Sequence, residues 1–158
     1  VNEQLIRVGW AEWVSLPDLS IPHIRAKIDT GAKTSALHAF DIRPIERRSG
    51  LHVRFESHVK ISERQRVVRC EALVVDERRV RSSSGEQEDR YVICTTLGVG
   101  RRRWPIELTL TTRDLMRFPM LLGREALQGR LLVDAGHRYL LGRPFKSTKK
   151  RPRPKRVK

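Results

Sequence analysis

The stretch Ala26-Lys27-Ile28-Asp29-Thr30-Gly31-Ala32-Lys33-Thr34-Ser35-Ala36-Leu37 decides how the rest of the chain is read. Ile24, Ala26 and Ile28 recur at period two, the spacing of one face of a strand, and Thr30-Gly31-Ala32 then breaks that register. The pattern sets a carboxylate at the end of a buried strand, beside a hydroxyl and a glycine. Burying such a carboxylate is costly unless something shares its charge, and a second carboxylate in contact can hold one proton between the two. An Asp followed by Gly at a strand end is also ordinary turn chemistry, so the tripeptide alone leaves a turn-capping role open.

A second element bears on that choice. Far downstream the chain reads Phe118-Pro119-Met120-Leu121-Leu122-Gly123-Arg124-Glu125-Ala126-Leu127, two branched apolar residues and a glycine leading into a short helix. Together the two elements resemble the retropepsin family, single-domain aspartic proteases in which Asp-Thr/Ser-Gly packs beneath a hydrophobic-hydrophobic-Gly strand. More narrowly, Ala26 to Ala39, Leu121 to Leu127 and the opening Gly9-Trp10-Ala11-Glu12-Trp13-Val14-Ser15-Leu16-Pro17 look like the bacterial retropepsin-like family long labelled "ATP-dependent zinc protease". That family is associated with RimK-type glutamate ligases that modify ribosomal protein. The resemblance covers roughly residues 5 to 142 and implies a protease domain over 1–143; outside it, the Lys/Arg/Pro composition of 144–158 cannot bury a core and reads as a basic, disordered tail.

A pepsin-type mechanism needs two carboxylates, one ionised to take a proton from water and one protonated to polarise the scissile carbonyl. This chain has one Asp-Thr-Gly; Asp134-Ala135-Gly136 has Ala where the hydroxyl belongs and precedes no matching apolar strand. A twofold axis sets the same residue opposite itself, so the expectation is an obligate homodimer with Asp29 of each copy on the axis. The resemblance implies that the Thr30 hydroxyl bonds across the axis and that Leu121, Leu122 and Gly123 support the dyad. Gly31 permits close backbone approach.

One position departs from the family pattern. Many retropepsins carry an acid four residues after the catalytic Asp, facing the Arg that follows the hydrophobic-hydrophobic-Gly motif; here these positions hold Lys33 and Arg124. Two cations facing each other cost energy unless an anion intervenes, so Lys33 and Arg124 are candidates to receive an acidic substrate such as glutamate-rich peptide. The plainer alternative is that Lys33 points to solvent. The polar segment Ser82 to Asp89, with Ser83 and Gly85 at its centre, suits either a flap that folds over the dyad or an ordinary surface turn.

No cofactor is expected. The five histidines (His23, His38, His52, His58, His137) are scattered, and neither a His-Glu-Xaa-Xaa-His motif nor a phosphate-cradling Gly-Xaa4-Gly-Lys-Ser/Thr loop occurs. Cys70 and Cys94 lie on apolar strand-like segments without metal-type spacing and read as reduced, buried thiols, with a disulfide between them left open. No basic-then-apolar leader pattern and no apolar run of membrane-spanning length is present in these 158 residues, which reads as a cytoplasmic protein.

Lys and Arg number 33 against 18 acids, a net charge of +15. Residues 146–158 hold eight of those bases and no acid, which leaves the body with 25 against 18, a net +7. The folded part therefore attracts acidic partners in its own right, whether peptide, nucleic acid or ribosome surface. A second class of function follows: an inactive β module that binds RNA or ribosome through its basic surface and tail.

Strands are expected over Leu5–Trp10, Glu12–Val14, His23–Ile28, Leu51–Phe55, Val67–Val75, Arg79–Arg81, Arg90–Cys94, Trp104–Leu110, Met120–Leu122, Leu131–Asp134 and Arg138–Leu141. Pro17 to Pro22 reads as a turn, Thr34 to Phe40 as a helical turn or a returning strand, and Glu56 to Arg66 as a loosely patterned connection. Trp10 and Trp13 read as core or edge packing. Many short strands and one helix, Arg124 to Gln128, make the fold class all-β: a retropepsin-like closed barrel with one short C-terminal helix.

Overall fold

The computed structural model describes residues 4–81, 84–112 and 117–145, with the backbone alone at residue 61. It is all-β. In chain order the elements are β1 (Ile6–Val8), β2 (Ala11–Leu16), a single 3-10 turn (Pro17–Leu19), β3 (Ile21–Ile28), β4 (Ser35–His38) and β5 (Phe40–Arg47). They continue as β6 (Gly50–Ile61), β7 (Arg64–Arg81), β8 (Gln87–Val99), β9 (Arg102–Thr111), β10 (Met120–Leu122), α1 (Arg124–Leu127) and β11 (Leu131–Val133).

Nine strands pair in the order β2-β3-β10-β4-β9-β8-β7-β6-β5, and β8 also pairs back onto β2. That last pairing, Ser15 with Gly98, closes the six strands β2, β3, β10, β4, β9 and β8 into a ring. The closure is tight: a Cβ on Gly98 would sit 2.1 Å from Ser15 Oγ. Inside the ring Leu16, Ile21, Ile24, Leu37, Ile93, Leu97, Leu108, Leu110, Met120 and Leu122 are buried, the inward halves of alternating strands.

β7, β6 and β5 extend this sheet from β8 to an edge at β5. Glu56 to Arg66 is not a loose connection: β6 and β7 continue through it to a two-residue turn at Ser62-Glu63, both with positive φ (54° and 57°). That is the geometry of a primed hairpin turn, here without the Gly or Asn that usually announces one. Val53, Phe55, Ser57 and Val59 are buried at period two, and the hydroxyl of Ser57 donates to His38 O at 2.8 Å. Pro44 lies on β5, the edge strand, where a missing N–H costs no ladder bond on the open side.

Thr34 to Phe40 resolves as strand, β4 followed by the start of β5. Arg138–Leu141 is not a strand: Tyr139 takes φ +54°, and the N–H groups of Leu140 and Leu141 donate instead to the Glu12 carboxylate at 3.0 and 3.1 Å. Glu12 is fully buried and also accepts Gly9 N–H at 2.7 Å, so three backbone donors compensate its burial. Nearby, Arg7 and His137 flank Asp134, and with the Gly136 N–H they hold its carboxyl well down, at about 2. These bonds fasten the segment after β11 along β1 and β2.

Trp10 meets Phe118 edge-on at 5.9 Å, and Trp13 meets Phe145 at 5.8 Å. The two cysteines are free, and only Cys70 is buried; Cys94 faces out of β8, contrary to the expectation of two buried thiols, because its strand neighbours Ile93 and Thr95 take the inward face. Burial pushes the Cys70 thiol up to about 11, so it stays protonated at neutral pH, with Leu19 O 3.6 Å away. Alkylation of native protein with iodoacetamide at pH 8 is expected to modify Cys94 at least ~10-fold faster than Cys70, read by peptide mass spectrometry; equal rates contradict the burial of Cys70.

Candidate active site

β3 carries Ile24, Ala26 and Ile28 inward, and Asp29 follows its last residue. β10 lies parallel beside it, Met120 opposite Ala26 and Leu122 opposite Ile28, and continues the ladder by one bond: Asp29 N–H donates to Leu122 O at 2.9 Å. On the other side Ile28 N–H donates to Trp10 O at 2.8 Å. The backbone at Asp29 is thus held from two directions while its side chain is only half-buried.

The chain then turns at once. Gly31 N–H donates to Asp29 Oδ1 at 2.9 Å and Ala32 N–H to Asp29 O at 3.3 Å. A Cβ on Gly31 would lie 3.1 Å from that same Oδ1, so glycine leaves the carboxylate uncrowded. Thr30 and Gly31 are exposed at the turn.

Gly123 joins the turn to the helix. Its N–H donates to Ser35 Oγ at 3.1 Å, while Arg124 N–H donates to Ala32 O at 2.8 Å and Glu125 N–H to Lys33 O at 3.1 Å. A Cβ on Gly123 would stand 2.7 to 2.9 Å from Thr34 C, Thr34 O and Lys33 O, all backbone atoms without freedom to withdraw. Leu122 is fully buried and Leu121 partly so. The structure therefore gathers Asp29, Thr30, Gly31, Leu121, Leu122, Gly123 and Arg124 in one place.

Lys33 and Arg124 do not confront each other bare. The Arg124 guanidinium donates to Thr30 O at 3.0 Å, and Lys33 Nζ lies 3.7 Å from Glu125 Oε1, an exposed pair of small energetic weight. Glu125 supplies the anion that the sequence reading sought in a substrate. Ser35 is the residue which that reading passed over: its hydroxyl holds Gly123, and its carbonyl accepts the Thr109 hydroxyl at 3.1 Å. Its position, four residues past Gly31 at the start of β4, was the available signal.

Gly85 lies between β7 and β8, with φ +85° and open space where a Cβ would stand. Ser83 lies outside the described residues. His38 stacks with His58, whereas the Cys70 thiol faces Leu19 O, so these two lie in different settings.

A closed β ring with an Asp-Thr-Gly turn seated on a hydrophobic-hydrophobic-Gly strand defines the retropepsin-like class. The family model described as "RimB-like: Retropepsin-like aspartic endopeptidase RimB" matches residues 7–144, and the chain belongs to that family. It is 46% identical over 135 residues to a probable alpha-L-glutamate ligase of Shewanella pealeana, covering 85% of this chain and 30% of that protein. A protein of the same name from Parasynechococcus marenigrum is 50% identical over 137 residues, covering 87% and 29%. The chain thus spans about 30% of the length of the curated relatives it matches. A crystal structure of a protein of unknown function from Legionella pneumophila aligns with TM-score 0.68 at 27% identity, covering 87% of this chain and 99% of that one.

Gly123→Ala is expected to lower stability by roughly 1–3 kcal/mol, since the added methyl meets the backbone of Lys33 and Thr34. Chemical denaturation measures this, and a variant as stable as the parent contradicts the close approach.

Proposed function

We propose that this chain is an aspartic endopeptidase whose working site forms when two copies bring their Asp29 carboxylates together. The observation that carries this reading is the seating of Asp29: its backbone is fixed by Leu122 O, and its turn is exposed on the protein surface. The other Asp-Xaa-Gly cannot supply the missing carboxylate, because Asp134 is committed to Arg7, His137 and the Gly136 N–H.

In the assembled dyad one carboxylate takes a proton from water and the other donates a hydrogen bond to the peptide carbonyl. The resulting oxygen nucleophile adds to the carbonyl carbon, and collapse of the tetrahedral adduct breaks the C–N bond as a proton passes to the leaving amine. In this reading Thr30, at the exposed turn, links the two loops across the axis. The hairpin bearing Gly85 is the flap in this scheme.

An acidic or glutamylated protein is the substrate class we favour. The body's net charge of +7 supports it. So does the occurrence of this domain as 30% of the length of proteins named for adding glutamate. Among the described residues no helix is long and apolar enough to cross a membrane, and both cysteines are free, which suits a reducing, cytoplasmic setting.

Digestion of a peptide library by the wild type and by Asp29→Asn, from acid to neutral pH, tests the assignment. Asp29→Asn is expected to lose at least ~100-fold in cleavage rate while keeping its circular dichroism; retained cleavage contradicts the role of Asp29.

A further inference from the structure

The outward face of the sheet extension carries a second group of chemically matched side chains. β5 turns into β6 at Arg48-Ser49, and Gly50 takes φ +124° as the chain reverses. His52 then follows on the face of β6 opposite to the buried Val53 and Phe55. Ser49 Oγ lies 2.7 Å from His52 Nε2. Diagonally across the ladder on β7, Glu71 Oε2 lies 3.6 Å from His52 Nδ1.

These groups stand in the order nucleophile, base and acid. Glu71 is fixed through its other oxygen, Oε1, to which Arg47 donates at 2.5 Å and Arg54 at 3.1 Å. The hydrogen bond from Arg47, with that from Arg54, holds the Glu71 carboxyl below the ordinary carboxylate range, so it is ionised at neutral pH. Its charge beside Nδ1 draws the ring proton to that nitrogen and leaves the Nε2 lone pair to receive the Ser49 hydroxyl. At 3.6 Å the contact steers the ring electrostatically without a full hydrogen bond. The His52 side chain is only 17% exposed, whereas Ser49 is open to solvent.

Apolar side chains adjoin the pair. His52 is flanked on the same face by Ile45 of β5 and Leu73 of β7. Leu73 is 44% exposed, and its Cδ1 stands 3.5 Å from where a Cβ on Gly50 would be, so a methyl group borders the residue after Ser49. β5, β6 and β7 lie beyond β8, away from the place of Asp29 beside β10.

We propose that Ser49, His52 and Glu71 form a second reactive site, independent of Asp29, which takes acyl groups from activated esters. The Ser49 oxygen adds to the ester carbonyl carbon while its proton passes to His52 Nε2. The bond to the alcohol then breaks, the alcohol leaves with the proton from His52, and Ser49 holds the acyl group as an ester. Water repeats the sequence: His52 takes one of its protons and the water oxygen adds to the acyl carbon. The bond to Ser49 breaks as that proton returns to the serine oxygen, and a carboxylic acid is released. A solvent-open turn suits esters with good leaving groups better than amides, whose amine is expelled in a water-excluding site. Ile45 and Leu73 favour a short apolar acyl chain.

The test uses full-length chains bearing Asp29→Asn, so that the result does not depend on the aspartic site. They are treated with a fluorophosphonate probe near neutral pH, and adducts are located by peptide mass spectrometry. Ser49 is expected to be labelled at least ~10-fold faster than Ser62, a serine exposed at the turn of the next hairpin. His52→Gln, with its circular dichroism unchanged, is expected to slow labelling of Ser49 at least ~10-fold, and Glu71→Gln several-fold. Labelling of the parent falls on acidification as His52 gains a proton and loses its acceptor, and His52→Gln removes that dependence. With 4-nitrophenyl esters the parent gains an acyl group on Ser49 and prefers butyrate to acetate, a preference that Leu73→Ser abolishes. The proposal is overturned if Ser49 reacts no faster than Ser62, if His52→Gln reacts as its parent does, or if Leu73→Ser leaves the preference intact.

Discussion

The seat of β10, parallel to β3 and antiparallel to β4, is the contact on which the rest depends. Three residues of strand are a small contribution to a sheet, yet Leu122 O is the acceptor that fixes Asp29 N–H, and Gly123 is where the backbone of Lys33 and Thr34 comes closer than any Cβ permits. The hydrogen bonds from Gly123, Arg124 and Glu125 then go to Ser35, Ala32 and Lys33, the residues immediately after the Asp-Thr-Gly turn. Strand, turn and helix start are thereby one unit. The position of the carboxylate is set by backbone geometry, which tolerates side-chain change better than a site built on long side chains.

The barrel supplies the stiffness this unit requires. β3 and β10 each have a paired neighbour on both sides, and closing the ring at Ser15 and Gly98 gives β2 a second one, so none of the three can shift register without turning its buried residues outward. At the other end of the chain, Glu12 gathers the N–H groups of Gly9, Leu140 and Leu141, and Trp10 O receives the N–H of Ile28. A buried acid with three backbone donors thus braces the strand that flanks Asp29. Removal of its charge would leave donors oriented toward a group unable to receive all of them.

Much of this was legible in the residues. Period-two alternation found most of β3 and β9 and the middle of β8, and the pairing of Asp29-Thr30-Gly31 with Leu121-Leu122-Gly123 pointed to the family from the residues alone. Three features were hidden for physical reasons. The outer part of the β6 to β7 hairpin turns through Ser62 and Glu63, residues that seldom take positive φ, so no turn signal marks it. β5 carries Pro44, which suppresses a strand reading although an edge position accommodates it. Arg138 to Leu141 alternates like a strand, but a buried carboxylate elsewhere in the sequence takes its N–H groups, a tertiary effect that periodicity does not register. The partner of Lys33 belongs to the same class, since Glu125 comes near only when α1 docks on the turn.

The central claim is that one carboxylate per chain suffices because assembly supplies the second. The most direct measurement is specific activity on a cleavable peptide as the protein is diluted, with sedimentation velocity at the same concentrations. A dyad formed between copies predicts that activity per chain falls in step with dissociation of the dimer and vanishes in the monomer range. Constant activity per chain in a sample that sediments throughout as monomer would contradict it.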